Sequence, residues 1–123
     1  ITHQNTPAVT ADDTAVVTAA NILTGIVTCT PTGDRSKATD TAANLISGLG
    51  LTTDDDSFDF AVIILSANSS ALDVTLTAGT AVTLVGNMHI SAPDVADASI
   101  ASGSAQFRVR RTGSAAVSLY RIS

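Results

Sequence analysis

The pattern of apolar and polar positions along this chain of 123 residues is typical of short β-strands. The strongest strand is predicted at residues 58–66, where Phe58 and Phe60 alternate with polar or small side chains. The run then becomes apolar on both sides, which indicates a central strand covered on both faces. Shorter alternating segments predict seven more strands, at residues 14–18, 25–30, 73–77, 81–85, 88–91, 104–112 and 115–122. Residues 95–102 form a weak strand or a loop in this prediction.

Turn residues separate these segments. The sequence P-T-G-D at 31–34 ends one strand, N-S-S at 68–70 ends another, and T-G-S at 112–114 closes a final hairpin. The phrases T-L-T-A-G (75–79) and T-L-V-G-N (83–87) are similar to each other, and we interpret them as a repeated hairpin. Turns at this spacing favour a β-sandwich or a barrel.

One helix is predicted near residues 41–49. Asp40 or Thr41 can cap its start, Gly48 or Gly50 can end it, and Leu45, Ile46 and Leu49 make one side apolar. Residues 1–13 are polar without a clear period, so we expect an N-terminal arm or an extended lead-in. The fold class predicted is therefore all-β, a jelly-roll-like β-sandwich of about eight strands and one short helix at 41–49, formed by residues 14–123 as a single domain.

Composition supports this fold class. Ala, Ser and Thr supply 51 residues, Glu is absent and Lys occurs once, so the usual surface residues of a helix bundle are missing. A hydrophobic content of 45% argues against disorder. No apolar stretch reaches the roughly 18 residues that span a bilayer, so we expect neither a membrane segment nor a leader peptide. Cys29 is expected to pack as a small apolar side chain inside a strand.

Charge is divided unevenly along the chain. The net charge is −5, but residues 1–107 carry −9 and residues 108–123 carry +4. An acidic chain is a poor candidate for binding nucleic acid. The division favours contacts between copies of the chain, in which the basic end of one meets an acidic patch of another.

Searching for chemistry yields little. We predict no catalytic residue, no cofactor and no metal, because no nucleophile elbow, phosphate loop or dinucleotide motif is present. His89 is expected to point outward from a strand, and a small hydrolase that uses it is the weakest hypothesis. Three adjacent carboxylates, Asp54, Asp55 and Asp56, favour a solvated loop over a Ca²⁺ site, because they lack the spacing of an EF-hand. A third reading pairs them with an arginine of a neighbouring chain.

The basic end supplies the remaining site candidates. On residues 104–112, Phe107 and Val109 are expected to face one way and Arg108 and Arg110 the other. Guanidinium groups in such a row can bind carboxylates of a partner or an acidic glycan, or they can simply solvate one face of the strand. The candidate residues for contact with other subunits or a capsid are Arg108, Arg110, Arg111, Arg121, Asp54, Asp55 and Asp56.

Several phrases, taken together, resemble a family. These are G-D-R (33–35) followed by T-A-A-N-L-I (41–46), F-D-F-A-V-I-I-L (58–65), T-L-T-A-G-T-A-V-T-L-V-G-N (75–87), Q-F-R-V-R-R-T (106–112) and V-S-L-Y-R-I (117–122). They resemble small virion structural proteins of tailed bacteriophages and other large DNA viruses, which include head decoration or cement proteins and fibre-associated modules. The resemblance covers residues 33–122 and has no counterpart in residues 1–32.

The resemblance implies a non-enzymatic protein on the surface of a virion. Its expected role is that of a capsid decoration or cement protein that forms a homotrimer and binds the major capsid protein. The alternative is a receptor- or glycan-binding module of a viral fibre or tail, for which Tyr120 is the candidate aromatic platform. Neither role involves nucleic acid or a membrane.

Overall fold

The structure is a computed structural model that describes residues 1–65, 73–91 and 103–123. In these residues the chain forms nine strands and two short helices: β1 (Ala8–Thr10), α1 (Ala19–Leu23), β2 (Ile26–Cys29), β3 (Arg35–Ala38), α2 (Ala42–Leu49), β4 (Ser57–Ile64), β5 (Val74–Thr77), β6 (Val82–Val85), β7 (His89–Ile90), β8 (Ser104–Gly113) and β9 (Ala116–Arg121). The weak strand or loop predicted at 95–102 and the turn at 68–70 lie outside the described residues.

Six strands form the larger sheet, in the order β1-β2-β4-β8-β9-β6. Strands β1, β2 and β4 are parallel, β8 is antiparallel to both β4 and β9, and β6 is parallel to β9. The central position predicted for β4 is confirmed, because Val62 has Val27 on one side and Ala105 on the other. The predicted hairpin of β8 and β9 is confirmed as well.

Three strands form the smaller sheet, in the order β3-β5-β7, with β3 parallel and β7 antiparallel to β5. The chain is therefore largely β, as predicted, but it forms two mixed sheets with two helices. A jelly roll is not confirmed, since parallel pairs within a six-stranded sheet are not typical of that topology.

The hairpin predicted from the repeated phrase at 75–79 and 83–87 is wrong. Strand β5 pairs with β3 and β7, whereas β6 pairs with β9, so the two phrases belong to different sheets. The chain crosses between the sheets at Gly79, where an added Cβ would lie 2.4 Å from the carbonyl oxygen of Asp40. Only glycine fits such a close approach of two backbones.

Helix α2 confirms the predicted helix, with Thr41 as its N-cap and Gly50 in the left-handed conformation (φ 70°) at its end. The strand predicted at residues 14–18 is wrong, since only Val17 makes an isolated bridge, to Thr39. Helix α1 begins just after this segment. It begins there because Thr18 and Asn21 form a reciprocal capping box, in which each side chain accepts a backbone N–H of the other residue.

One core joins both sheets and both helices. We call the side of the larger sheet that contributes to this core its inner face, and the opposite side its outer face. Phe60 and Phe107 stack there with ring centroids 5.5 Å apart, and Cys29 is buried as predicted. The smaller sheet contributes Val74, Leu76 and Ile90, and the helices contribute Ile22, Ala42, Leu45 and Leu49.

The expected N-terminal arm, residues 1–13, contains β1 and so adds a strand to the larger sheet of its own chain. The buried side chain of Lys37 binds this arm, because its ammonium group donates a 2.7 Å hydrogen bond to the carbonyl oxygen of Ala11. Asp12 binds Arg35 and the hydroxyl group of Thr32. Hydrogen bonds from Thr32 lower the pKa of Asp12, and the smaller effect of burial, which raises it, does not cancel them.

Candidate functional site

The outer face of the larger sheet extends over six strands. Alternation along each strand places one set of side chains there while the next set enters the core. Neither helix packs on this face, and its apolar residues are small or β-branched. Its side chains are Val9, Ile26, Thr28, Asp59, Ala61, Ile63, Gln106, Arg108, Arg110, Ser118, Tyr120, Thr83 and Val85.

Asp59 and Arg108 form a two-contact ion pair across β4 and β8 on this face. Nε donates to Oδ1 at 2.6 Å and Nη2 donates to Oδ2 at 2.7 Å, the fork geometry that suits a guanidinium group and a carboxylate. The hydrogen bond from Arg108 outweighs partial burial and lowers the pKa of Asp59. The same contact raises the pKa of Arg108. Both groups are therefore charged over the ordinary pH range, and their charges cancel locally.

Arg110 connects β8 to β9 and to the loop before β4. Its Nε and Nη2 donate to the hydroxyl oxygen of Tyr120 at 3.0 and 2.8 Å, and its Nη1 donates to Asp55 at 2.5 Å. The hydrogen bond to Tyr120, followed by that to Asp55, raises the pKa of Arg110. The predicted orientation is confirmed, because Arg108 and Arg110 face outward while Phe107 and Val109 are buried.

The three carboxylates predicted as a solvated loop divide among different partners. Asp54 lies 3.2 Å from Nε of Arg111, and Asp56 accepts backbone N–H groups of Thr52 and Thr53 at 3.0 Å. Because Asp55 faces Arg110, each carboxylate points toward a different group. Arg111 also donates to the carbonyl oxygen of Leu51. The described residues include no cluster of three His, Cys, Asp or Glu that could hold a metal ion.

Arg121 lies apart from this group, although the sequence placed it with the other arginines. Its Nη1 donates to the carbonyl oxygens of His89 at 2.5 Å and Asn87 at 3.2 Å. Arg121 therefore ties the end of β9 to the smaller sheet. The structure thus brings Arg108, Arg110 and Arg111 together with aspartates of the same chain and leaves Arg121 outside the outer face.

A shallow cavity of about 360 Å³ opens on the outer face where β2, β4 and β8 meet. Its polar lining comes from the carboxylate of Asp59 and the amide of Gln106, and its apolar lining from Ile26 and Ala61. Gly25, which is in the left-handed conformation with φ 86°, also lines the cavity. Sequence reasoning missed this cavity, because its walls come from segments that are far apart in the chain.

A second polar cluster lies on the smaller sheet. Nε2 of His89 is 2.7 Å from Asp73, and its Nδ1 is 3.0 Å from the hydroxyl group of Thr75. His89 is exposed, as expected. In a serine-hydrolase triad the carboxylate meets Nδ1 and the hydroxyl group meets Nε2, so the two partners are exchanged here. The pairing of β5 with β7 brings these residues together. The sequence alone does not give the register of this pair, so it does not predict the cluster.

Comparison with known proteins gives no relative: no family model, curated protein or solved structure matches this chain. Neither described helix is long and apolar enough to cross a membrane.

Proposed function

We propose that this chain is a non-enzymatic virion structural protein, a capsid decoration or cement protein whose outer face binds the major capsid protein. One observation carries the proposal: the outer face of a six-stranded sheet, whose charges are already paired within the chain. Such a surface loses little side-chain entropy on contact, because most of its residues are small, β-branched or held by ion pairs and hydrogen bonds. Its location would be the virion surface, with copies of the chain as further partners, in a homotrimer.

The paired charges support this proposal in a second way. A lone charge that becomes buried at an interface is costly, whereas a pair that is already hydrogen-bonded loses less on leaving water. Asp59 with Arg108, and Asp55 with Arg110, meet this condition. The proposal keeps the jelly-roll-like sandwich expected from the sequence only in its coarser sense, as two sheets that pack around one core.

The test is binding to capsid shells assembled from the major capsid protein of the same genome. We expect the chain to sediment with these shells and to raise their melting temperature. Ala61→Arg places a long charged side chain in the middle of the outer face and should abolish both effects. Ala43→Arg makes the same change on the exposed side of α2 and should abolish neither. Failure of the unaltered chain to bind, or equal losses in the two variants, would overturn the proposal.

The cavity favours a second candidate, the glycan-binding module. A carboxylate and an amide above a small apolar surface are groups that can bind sugar hydroxyls, and Tyr120 lies on the same face. On a glycan array, this function predicts hits that Asp59→Ala and Gln106→Ala remove, while Ala43→Arg keeps them. An array without hits would contradict it.

A further inference from the structure

The two sheets differ in whether other parts of the chain bind their edge strands. In the smaller sheet, β3 is flanked by Val17, whose N–H donates to the carbonyl oxygen of Ala38 and whose carbonyl accepts the N–H of Asp40. At the opposite edge, Arg121 covers the carbonyl oxygen of His89 in β7. At both edges of the smaller sheet, therefore, another part of the chain covers some of the backbone groups.

The edges of the larger sheet are β1 and β6, and the described residues place no further strand beside either. Monomeric proteins usually protect such edges with lysine, other charges, proline or a bulge. Both strands are short, which gives some protection, and Pro7 directly precedes β1. Within the strands, however, there is no charge and no proline, since β1 reads A-V-T and β6 reads V-T-L-V. Each edge instead exposes a valine: Val9 is 82% exposed and Val85 is 44% exposed.

The directions of the two edge strands are compatible with pairing between copies. Strand β1 is parallel to β4, β4 and β9 are both antiparallel to β8, and β6 is parallel to β9. It follows that β1 and β6 run in the same direction at opposite edges. Their exposed valines also share the outer face, because Val9 lies level with Thr28 and Val85 with Tyr120.

We propose that β6 of one copy pairs in parallel with β1 of a second copy, so that the larger sheet continues from one subunit into the next. The contact is head-to-tail, and repeating it generates a ring when the rotation closes. The two edges lie at different heights along the strands: Val9 is level with Ile63, whereas Val85 is level with Asp59. Neighbouring copies are thus staggered, as strands are in a closed barrel.

This inference rests on the proposed function only in that the protein works as an assembly of copies. It names the surface of that contact and leaves the outer face free for a capsid. The two proposals can fail separately. A chain that forms rings but ignores capsid shells keeps the edge contact and loses the decoration role. A chain that binds shells as a monomer does the reverse.

The edge contact is tested by disulfide formation in the full chain, with buried Cys29 replaced by Ala in every variant. Val9→Cys together with Val85→Cys should give covalent oligomers on a non-reducing gel after mild oxidation. A variant with only one of these cysteines should run as a monomer on the same gel, because it forms no covalent bond between copies. Dimers from Val9→Cys alone would show that two β1 edges meet. Dimers from Val85→Cys alone would show that two β6 edges meet. Either result would overturn the proposal.

A second measurement needs no cysteine. Val9→Lys adds a charge that blocks edge pairing, and because Val9 is exposed the fold of each copy should persist. Light scattering should show a shift from the oligomer to the 12.4 kDa monomer. The control is Val16→Lys, which adds the same charge at an exposed valine outside the strands and should leave the oligomer intact. A monomeric unaltered chain, or equal effects of the two lysines, would also overturn the proposal.

Discussion

Asp59 and Arg108 lie opposite each other on β4 and β8, joined by contacts of 2.6 and 2.7 Å. The two side chains are 50% and 47% exposed, so water and salt screen their attraction. An exposed pair of this kind adds little to stability even when its geometry is good. Its main effect is to hold two charges of the outer face in fixed positions without net charge.

Replacing Arg108 should therefore have a small effect that depends on salt. We expect Arg108→Ala to lower the urea midpoint slightly at low ionic strength, with the difference from the unaltered chain shrinking as NaCl is added. The exchanged pair, Asp59→Arg with Arg108→Asp, should recover most of the loss. Gln106→Ala, on the same face of β8, is the control. A large loss that salt does not change would mean that Arg108 acts through packing of its stem.

Asp40 makes the free energy of unfolding depend on pH in the acid range. Burial raises the pKa of Asp40, but hydrogen bonds from the Asn44 side chain and from the N–H groups of Ala19 and Thr41 outweigh it, and the pKa is lowered from 3.8. A lowered pKa in the folded state stabilises the protein above the unfolded value, and this contribution is lost as the pH falls through the folded value. We expect the free energy of unfolding to decrease in this acid window.

The variant that isolates this contribution is Asp40→Asn. It should lose about 1–2 kcal/mol at neutral pH, because its amide cannot accept all three hydrogen bonds as a carboxylate does. The difference from the unaltered chain should shrink at acid pH below the ordinary pKa of an aspartate, as the lowered pKa of Asp40 is approached and the carboxylate becomes protonated. Urea unfolding at both pH values measures this, with Asp54→Asn as an exposed control. An Asp40→Asn penalty that stays constant with pH would contradict the assignment.

Local signals predicted much of this fold. Helix α2 has a cap, an apolar side and a terminal glycine within one short segment, and β4 has an apolar run that marks a strand inside a sheet. Strand β3 was missed because its inward side chain is Lys37, which interrupts the apolar alternation. Val16 and Val17 have high β-propensity and favour the strand wrongly predicted at residues 14–18. Helix α1, which follows that segment, was missed because its start depends on the capping pair of Thr18 and Asn21.

Pairing between distant segments was not predictable in the same way. Turn signals favour hairpins between neighbours, but β6 lies beside β9 and β1 beside β2, in parallel. For the site, residue types and the outward orientation of Arg108 and Arg110 followed from alternation. Their partners did not, because Asp59 and Asp55 meet them only through the register of β4 and β8.

Gly48 marks a close contact between the helices. A Cβ added to it would lie 2.6 Å from Cβ of Ala19, well inside the contact distance of two carbon atoms. Gly48→Ala should destabilise by about 1–3 kcal/mol despite the better helix propensity of alanine. Adding Ala19→Gly should recover part of the loss, because it removes the opposing atom. Thermal unfolding checks this, with exposed Ser47→Ala as control; a stabilised Gly48→Ala variant would contradict the contact.

Lys37 is expected to decide how firmly the N-terminal arm is held. Its side chain is 2% exposed, and its ammonium group donates to the carbonyl oxygen of Ala11 and lies 3.6 Å from Asp13. Lys37→Met keeps a flexible side chain of similar length but removes the donor. A hydrogen bond from a charged group contributes about 1.5–3 kcal/mol, so amide hydrogens of the arm should exchange about tenfold faster or more.

Hydrogen exchange read by mass spectrometry separates this local effect from a global one. In Lys37→Met, peptides covering residues 8–13 should lose protection while those covering β4 and β8 keep it. Asp13→Asn leaves the bond to Ala11 in place and should have a smaller effect. Equal acceleration throughout the chain would instead assign Lys37 to the core. Because the arm carries β1, its release also removes the edge that β6 of another copy would bind, so the same variant should weaken self-association.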